Sequence, residues 1–345
     1  MIMEKIVIHS YGSYDKLKLE KMDLPSPAEN EVLVENKAVG VNYADITVRW
    51  GLYESAKRFV GLPITPGFEF AGIVKKLGKS VVGLEVGQKV FGITFFNGYA
   101  SHICITSDQV YPLPNNLSFE QAATIPTAFL TAYYALYENF IFREGSKVLV
   151  HSAAGGVGST LVQMAKINKC QVVGVVGSSH KVEIVKNLGA DFVIDKSSVE
   201  LWSEIEKISP QGFDVILDAN GVSTLKQSYE HLAPMGKLIC YGFHSMLPKK
   251  GGKINWIKLA INYLRTIRFN PLDMTTENKN VLAFNLSFLF SQKELLKRSM
   301  NQINAWLEEG KLVVPPITTY PLKDVAKAHK DLESGKTIGK LILIP

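Results

Sequence analysis

The sequence has few cysteines, and their spacing excludes the common cysteine-based scaffolds. Only three of its 345 residues are cysteines, Cys104, Cys170 and Cys240. Three thiols cannot form a dense disulfide framework, and no pair stands in the C-x-x-C arrangement of a structural zinc or redox site. We therefore expect a protein of a reducing compartment that draws its stability from a hydrophobic core.

Long apolar runs are also lacking. No stretch approaches the roughly 20 apolar residues of a membrane-spanning helix, and Glu4, Lys5 and His9 interrupt the apolar start, unlike a secretory signal. The chain is 46% hydrophobic and 20% charged, which is typical of a globular protein with a large core. Its length predicts two or three domains, and we expect it to be cytoplasmic.

Acidic residues are absent from one segment, residues 231–272, which contains seven lysines and arginines. The whole chain has 38 basic and 32 acidic residues, so the remainder holds 31 basic against 32 acidic. The positive charge is therefore local. Because a general basic character is lacking, we expect no nucleic-acid partner.

The pattern of the chain predicts an α/β protein with two folded domains. Residues 1–125 read as short strands punctuated by glycine and proline, which indicates a β domain. Residues 126–290 alternate β-branched strands with amphipathic helices, which indicates a parallel sheet covered on both faces. Residues 291–345 are expected to return and complete the first domain.

A glycine-rich turn stands between the first strand of this series, predicted at 147–151, and a helix predicted at 160–168. The turn reads Ala153-Ala154-Gly155-Gly156-Val157-Gly158 and fits G-x-G-x-x-G, with Ala153 in place of the first glycine. Gly155 would let the backbone approach a pyrophosphate, and Gly158 would let helix and strand pack closely. Its position between strand and helix predicts a dinucleotide site, with phosphates at the helix N-terminus.

The residues after the second strand favour NADPH over NADH. An acidic residue at this point would bind the ribose 2′-hydroxyl of NADH, but the chain continues from Gly177 and Ser178 to Lys181, and no acid appears before Glu183. Hydroxyl groups and a lysine suit a 2′-phosphate, and Lys196 would add a second cation. A solvated lysine at a helix start is an equally good reading of Lys181 alone.

Motifs in the first domain resemble the medium-chain dehydrogenase/reductase superfamily. Residues 66–74 (PGFEFAGIV), 86–90 (VGQKV) and 98–100 (GYA) precede the glycine turn in that superfamily's order, although Gln88 replaces the usual acid. The resemblance implies a GroES-like β domain followed by a Rossmann doubly wound parallel-sheet domain. The catalytic cysteine, the histidine before Glu69 and the four-cysteine lobe of the zinc members are missing, so the resemblance implies no metal.

More narrowly, the chain is similar to the zinc-free quinone oxidoreductase branch. The motif 42–53 (NYADITVRWGLY) and the ending from Pro321 to Lys340 carry this likeness. Residues 151–158, 208–212 and 232–242 point to the subgroup of the synaptic-vesicle membrane (vesicle amine transport) protein. The resemblance implies NADPH-dependent hydride transfer to a quinone or a similar conjugated carbonyl.

The resemblance also implies roles for individual residues. Asn42, Tyr53 and Thr131 would line the nicotinamide and substrate pocket, with ordinary packing almost as good a reading for Tyr53 and Thr131. Phe243 would lie beside the nicotinamide, and Asn220 and Gly221 near the ribose and phosphates. The full cofactor-binding set is Ala153, Gly155, Gly156, Val157, Gly158, Gly177, Ser178, Lys181, Lys196, Asn220, Gly221, Phe243 and Lys340.

Two other functions stay open. An NADPH-dependent enone or enoyl reductase would use the same pocket chemistry. A nucleotide-binding regulatory protein with weak activity would give a role to the amphipathic segment 254–269, which could lie on a membrane surface. A lid or subunit-contact helix is the favoured reading of that segment. The family default of a homodimer joined through the Rossmann sheet edge is also expected, with 281–286 as the edge strand.

Overall fold

A computed structural model describes residues 2–247 and 254–345, and contacts divide them into two units. Unit 1 comprises residues 2–130 and 287–345, and unit 2 comprises residues 131–247 and 254–286. The boundaries expected from sequence, 125/126 and 290/291, lie within five residues of these. The chain changes unit inside a helix, Ile125–Tyr133.

The chain begins with a β-rich part, continues with alternating strands and helices, and ends with a mixed part. The first 133 residues contain β1 Ile2–Val7, β2 Lys18–Asp23, β3 Glu31–Val41, α1 Tyr43–Arg49, α2 Glu54–Phe59, β4 Glu69–Leu77, β5 Lys89–Ile93, β6 His102–Thr106, β7 Val110–Pro112, α3 Phe119–Ala122 and α4 Ile125–Tyr133. There follow β8 Lys147–Val150, α5 Gly156–Ile167, β9 Gln171–Val176, α6 Val182–Asn187, β10 Phe192–Asp195, α7 Leu201–Ile208, β11 Phe213–Asp218, α8 Leu225–Glu230, β12 Leu232–Cys240, α9 Trp256–Arg265, α10 Pro271–Glu277 and β13 Asn280–Ala283. The last part contains α11 Lys293–Glu308, β14 Ile317–Pro321, α12 Val325–Glu333 and β15 Lys340–Ile344.

Unit 2 is built on a six-stranded parallel sheet in the order β10-β9-β8-β11-β12-β13. Numbered within the unit, this is 3-2-1-4-5-6, the order of the doubly wound dinucleotide-binding fold. The inner strands are runs of valine, isoleucine and leucine with almost no solvent exposure, since helices cover both faces. The strand order reverses between β8 and β11, and ligands of such folds bind at that end of the sheet.

Unit 1 is built around β3, an eleven-residue strand that pairs antiparallel with β4, β6 and β15. The seven-stranded sheet runs β14-β15-β3-β4-β5-β7, with β6 paired to β3 as the seventh strand, while β1 and β2 form a separate two-stranded sheet. The last two strands of the chain, β14 and β15, therefore join the sheet built on β3. This topology brings the C-terminal Lys340 beside β3 and the start of α1, although 298 positions separate it from Asn42 in sequence.

Some predicted elements are displaced. Helix α5 begins at Gly156, four residues before the predicted start, because the glycines that suggested a turn adopt the first helical turn. The predicted edge strand 281–286 is β13, Asn280–Ala283, since the chain enters a short helical turn at Leu286. A capping box opens α3: the Ser118 hydroxyl accepts from the Gln121 backbone N–H, and Gln121 Oε1 accepts from the Ser118 backbone N–H.

The amphipathic segment 254–269 contains α9, in which no residue is buried. Its apolar side chains Trp256, Ile257, Tyr263 and Leu264 are each more than 60% exposed. The preceding lysines, Lys249, Lys250 and Lys253, fall outside the described residues. None of the helices in the described ranges has the length and hydropathy needed to cross a membrane.

Candidate functional site

The glycine turn of unit 2 packs strand β8 closely against helix α5. A Cβ on Gly158 would lie 2.3 Å from the Ser152 carbonyl oxygen and 2.8 Å from the Ala153 Cα. Both are backbone atoms that cannot swing aside, so only glycine fits. A Cβ on Gly155 would meet nothing closer than the same oxygen at 3.3 Å. Gly158 thus makes the close helix–strand packing expected of it.

The N-terminus of α5 is open to an anion. Gly155 is the N-cap residue and supplies no capping side chain, and no acidic residue occurs in the first turn. Gly156 and Val157 occupy that turn, where backbone N–H groups have no partner within the helix. These donors and the positive end of the helix dipole suit a phosphate.

A buried carboxylate shapes the neighbouring turn after β11. Asp218 is fully buried and accepts hydrogen bonds from the backbone N–H groups of Asn220 at 2.7 Å and Gly221 at 3.0 Å. Its second oxygen accepts from Thr224 Oγ1 at 2.7 Å and Ser228 Oγ at 3.1 Å. Four donors therefore hold the loop that carries Asn220 in one conformation.

Asn220 carries an unused donor. Its Oδ1 accepts from Ser152 Oγ at 3.0 Å, across the reversal in strand order. Its Nδ2 is buried and has no hydrogen-bond partner among the described residues. A buried amide without a partner is costly and uncommon, so the turn fits a ligand that offers an acceptor at this position. This orphaned donor, beside the open end of α5, is the structural feature that best matches a dinucleotide.

Gly221 and Phe243 meet at the same end of the sheet. Gly221 has φ +81°, and a Cβ there would lie 2.6 Å from the Phe243 ring. Phe243 is 46% exposed, which is high for a large apolar residue. The structure thus brings together Asn220, Gly221 and Phe243 next to the glycine turn.

Two lysines lie near the ends of β9 and β10. Lys181 is only 8% exposed, and burial together with the positive charge of Lys196 lowers the pKa of its ammonium group. The Lys196 backbone N–H donates to the Val176 carbonyl, and its Cε lies 3.9 Å from a Cβ placed on Gly177. The two lysines therefore lie near enough for the charge of Lys196 to act on the Lys181 ammonium.

Sequence reasoning missed an acidic residue in this neighbourhood. Asp195, the last residue of β10, accepts from Ser179 Oγ at 2.6 Å, and from the Ser197 backbone N–H and Oγ at 2.9 and 2.7 Å. These bonds, the Ser179 bond first, lower the pKa of Asp195. Asp195 could not be found from local sequence, because its position depends on which strands are neighbours. Strand β10 pairs with β9, so Asp195 at the end of β10 lies beside the loop that starts at Gly177.

The candidate catalytic residue of unit 1, Asn42, lies in a closed polar cluster. Lys340 Nζ donates to Asn42 Oδ1 at 2.6 Å, to Glu69 Oε1 at 2.5 Å and to the Val41 carbonyl at 3.2 Å. Asn42 Nδ2 donates to Glu69 Oε1 at 2.8 Å. Lys340 is 4% exposed and Glu69 fully buried. We call Asn42, Glu69 and Lys340 the Asn42 cluster.

The cluster contains a buried ion pair between Glu69 and Lys340. Glu69 Oε2 accepts from the Thr127 backbone N–H at 2.7 Å. The glycine at position 40 provides the space for the Glu69 carboxylate, since a Cβ on Gly40 would lie 2.2 Å from Glu69 Oε1. Lys340, assigned to the cofactor by resemblance, has all three ammonium protons directed at acceptors of unit 1, and its contact with a cofactor stays a prediction.

Tyr53 and Thr131 are each fixed by their surroundings. Tyr53 packs edge-on against Phe68 and Phe96, with ring centroids 5.6 and 6.4 Å away. Thr131 lies on α4, is 8% exposed and belongs by its contacts to unit 2. Direct roles in binding remain predictions for both residues.

No metal-binding cluster is found in residues 2–247 and 254–345, judged by groups of three or more His, Cys, Asp or Glu side chains. The cysteines are unpaired, and burial raises the pKa of Cys104 and Cys170 to about 11 and that of Cys240 to about 12. His102 pairs with the Ser101 hydroxyl at 3.0 Å. Burial therefore disfavours the thiolate form of all three cysteines.

A doubly wound sheet with a close-packed glycine turn and an open helix N-terminus defines a dinucleotide-binding protein. Family models agree with this class: "Alcohol dehydrogenase GroES-like domain" matches residues 28–130, and "Zinc-binding dehydrogenase" matches residues 188–343. The chain is 35% identical to the synaptic vesicle membrane protein VAT-1 homolog of Danio rerio over 340 residues, which is 98% of this chain and 69% of that protein.

Solved structures give the same picture. Escherichia coli quinone oxidoreductase, complexed with NADPH, superimposes with a TM-score of 0.86 at 30% identity, over 99% of this chain and 100% of that one. The CurK enoyl reductase has a TM-score of 0.85 at 27% identity, over 99% of each chain. The chain therefore belongs to the medium-chain dehydrogenase/reductase superfamily, with the VAT-1 homologues and quinone oxidoreductases of its zinc-free branch.

Proposed function

We propose that this protein is an NADPH-dependent oxidoreductase that reduces a quinone or a similar conjugated carbonyl without a metal. The observation that carries the proposal is the buried, unpartnered Asn220 amide beside the open N-terminus of α5. The likeness to a quinone oxidoreductase solved with NADPH supports the cofactor and the reaction class.

Unit 2 provides the groups that would hold the cofactor. The first-turn N–H groups of α5 bind the pyrophosphate, and the Asn220 amide donates to the ribose–phosphate side. Lys181 and Lys196 bind the 2′-phosphate, with Gly177 and Ser178 leaving space beside them. Phe243 packs against the nicotinamide ring, and Thr131 is assigned to the same ring by resemblance.

Unit 1 provides the groups that would act on the substrate. When bound, NADPH supplies the hydride, as nicotinamide cofactors do. Asn42 donates a hydrogen bond to the substrate oxygen on which negative charge develops, and Tyr53 contacts the substrate through its hydroxyl. A reduced quinone oxygen can take its proton from water, so the proposal needs no dedicated acid.

The proposal is tested by binding and turnover with purified full-length protein. Titration followed by the quenching of tryptophan fluorescence should give a lower Kd for NADPH than for NADH. Oxidation of NADPH, followed at its absorbance band, should depend on added 1,4-benzoquinone or naphthoquinone. Equal affinity for the two cofactors would remove the NADPH assignment, and binding without oxidation would leave a nucleotide-binding regulatory protein.

An enone or enoyl reductase is the second candidate, favoured by the likeness to the CurK enoyl reductase. The same Asn42 donor would stabilise an enolate oxygen in place of a quinone oxygen. The ratio of kcat/KM values for a quinone and an α,β-unsaturated ketone of similar size separates the two. A ratio above one assigns the quinone, and a ratio below one assigns the enone.

The expected assembly remains a proposal as well. Strand β13 is the outer strand of the six-stranded sheet, and we propose that a second copy pairs with it. We assign α9, whose apolar side chains are exposed, to a subunit contact. The Phe284 N–H donates to the Cys240 carbonyl of β12, so the N–H of the preceding residue, Ala283, faces the outer edge. Light scattering on wild-type and Ala283→Pro protein tests the pairing, since proline cannot donate to a new strand. Cosedimentation of α9 variants with anionic liposomes tests the membrane-surface alternative.

A further inference from the structure

The Asn42 side-chain amide has an unambiguous orientation. Its Oδ1 faces Lys340 Nζ at 2.6 Å, and its Nδ2 faces Glu69 Oε1 at 2.8 Å. An ammonium group only donates hydrogen bonds, and a carboxylate only accepts them. Rotating the amide by half a turn would set its N–H groups against the ammonium and its oxygen against the carboxylate. The ion pair therefore permits one orientation.

The backbone of Asn42 is fixed as firmly as its side chain. Its N–H donates to Asp45 Oδ2 at 2.8 Å, while Asp45 Oδ1 accepts from the Gly67 N–H at 2.8 Å. Asp45 is fully buried, so this link between the start of α1 and the loop before β4 is shielded from water. Asn42 is thus held at its main-chain nitrogen, Oδ1 and Nδ2.

One N–H of the Asn42 amide is left over. An amide nitrogen carries two protons, and Glu69 accepts one of them. A donor that is already oriented stabilises developing negative charge without reorganising during the reaction. The partners that orient it are then as important to the reaction rate as the donor itself.

We propose that Glu69 and Lys340 are positioning residues, which hold the Asn42 amide ready to donate to the substrate oxygen, and that Lys340 is not a ligand of the cofactor phosphate. The inference rests on the proposed function. It assigns the buried charge pair of unit 1 to catalysis through Asn42, and it predicts effects on kcat with little effect on cofactor affinity.

The test replaces both charged residues of the Glu69–Lys340 ion pair with uncharged ones. Lys340→Met alone would leave the buried Glu69 carboxylate unpaired and could unfold the protein, so the variant is the double substitution Glu69→Gln and Lys340→Met. Lys323→Met removes an exposed lysine of the same C-terminal region and serves as the control. Thermal melting establishes that each variant is folded.

We expect kcat with a quinone to fall about 10- to 100-fold in the double variant, as for a misplaced catalytic group, while the Kd for NADPH stays within about twofold. The control should match the wild type in both. An unchanged kcat in a folded double variant would overturn the inference. So would a tenfold rise in the Kd for NADPH with kcat preserved at saturation, since that result makes Lys340 a cofactor ligand.

A second readout does not depend on activity. In protein labelled with ¹⁵N-asparagine, the Asn42 side-chain amide can be assigned by its loss in Asn42→Asp. The amide proton that Glu69 accepts should exchange with water slowly in the wild type and at least about tenfold faster in the double variant, because hydrogen bonding retards exchange. Equal exchange rates would show that Glu69 and Lys340 do not hold the Asn42 amide. A wild type that fails to oxidise NADPH would refute the proposed function, and the exchange rates would still decide whether the ion pair positions Asn42.

Discussion

The polar groups of the two units are arranged in opposite ways. In the Asn42 cluster of unit 1, the Lys340 ammonium has three acceptors and the Glu69 carboxylate has donors on both oxygens. In the glycine-turn region of unit 2, the Asn220 amide nitrogen is buried without a partner among the described residues, and Lys181 is buried within the field of Lys196. The ion pair of unit 1 has all its hydrogen-bond partners within the protein, whereas the Asn220 amide of unit 2 has an unused donor.

The difference indicates what each cluster does. A buried polar network that is fully paired costs little to maintain and fixes geometry. A buried donor without an acceptor raises the free energy of the protein until a ligand supplies the missing acceptor. We therefore interpret the unit 1 cluster as a positioning device and the unit 2 cluster as a binding site for an anionic ligand.

The largest effect is expected from Gly158→Ala. The new Cβ would fall 2.3 Å from the Ser152 carbonyl oxygen, and moving α5 away would disturb the turn that contains Ser152, the partner of Asn220. We expect the free energy of unfolding to drop by about 3 kcal/mol, as for severe overpacking, and the affinity for NADPH to fall more than about 100-fold. Thermal melting and fluorescence titration measure the two effects.

Gly155→Ala is the matched control for this prediction. Its Cβ would approach the same oxygen only to 3.3 Å, in an extended backbone conformation that alanine adopts freely. The unfolding free energy should change by less than about 1 kcal/mol. If both variants are equally stable, the close packing at Gly158 does not support the turn. The turn would then no longer be evidence that unit 2 contains a preformed ligand site.

The sequence alone predicted those features of the fold that depend on residues close together along the chain. The glycine turn and the alternation of strands and helices are local patterns, and the parallel sheet follows from them. The Glu69–Lys340 pair joins residues separated by 271 positions, so only the antiparallel pairing of β15 with β3 reveals it. Asp195 escaped notice for a similar reason, because its approach to Ser179 depends on which strands are neighbours.

A smaller effect, confined to one cofactor, is expected from Lys181→Met. Removing one cation from the 2′-phosphate site should raise the Kd for NADPH about tenfold, the value of one charge-assisted hydrogen bond. The Kd for NADH should stay within about twofold, because NADH lacks that phosphate. Lys186→Met, which removes an exposed lysine from the end of α6, is the control and should alter neither value.

The alternative reading of Lys181 predicts another outcome. A lysine that only solvates the start of α6 would leave the preference for NADPH intact when replaced. Equal losses for both cofactors would instead show that the substitution disturbs the loop after β9. Either result would remove Lys181 from the binding site. The assignment of the ligand site to unit 2 would then rest on Asn220 and the N-terminus of α5.

The smallest effect is a pH dependence of cofactor preference. Burial and the nearby Lys196 lower the pKa of Lys181 below the ordinary 10.5, and a bound phosphate would raise it again. NADPH should therefore bind best to the protonated lysine, and its advantage over NADH should shrink as the pH rises through the lowered pKa. The 2′-phosphate has a pKa near 6 and stays fully ionised above about pH 7.5, so its own titration does not contribute to the pH dependence in that range. Lys181→Arg keeps its charge throughout this range, so its Kd ratio should stay constant. A wild-type ratio that does not change with pH, or an equal decline in the arginine variant, would show that Lys181 is not the titrating group.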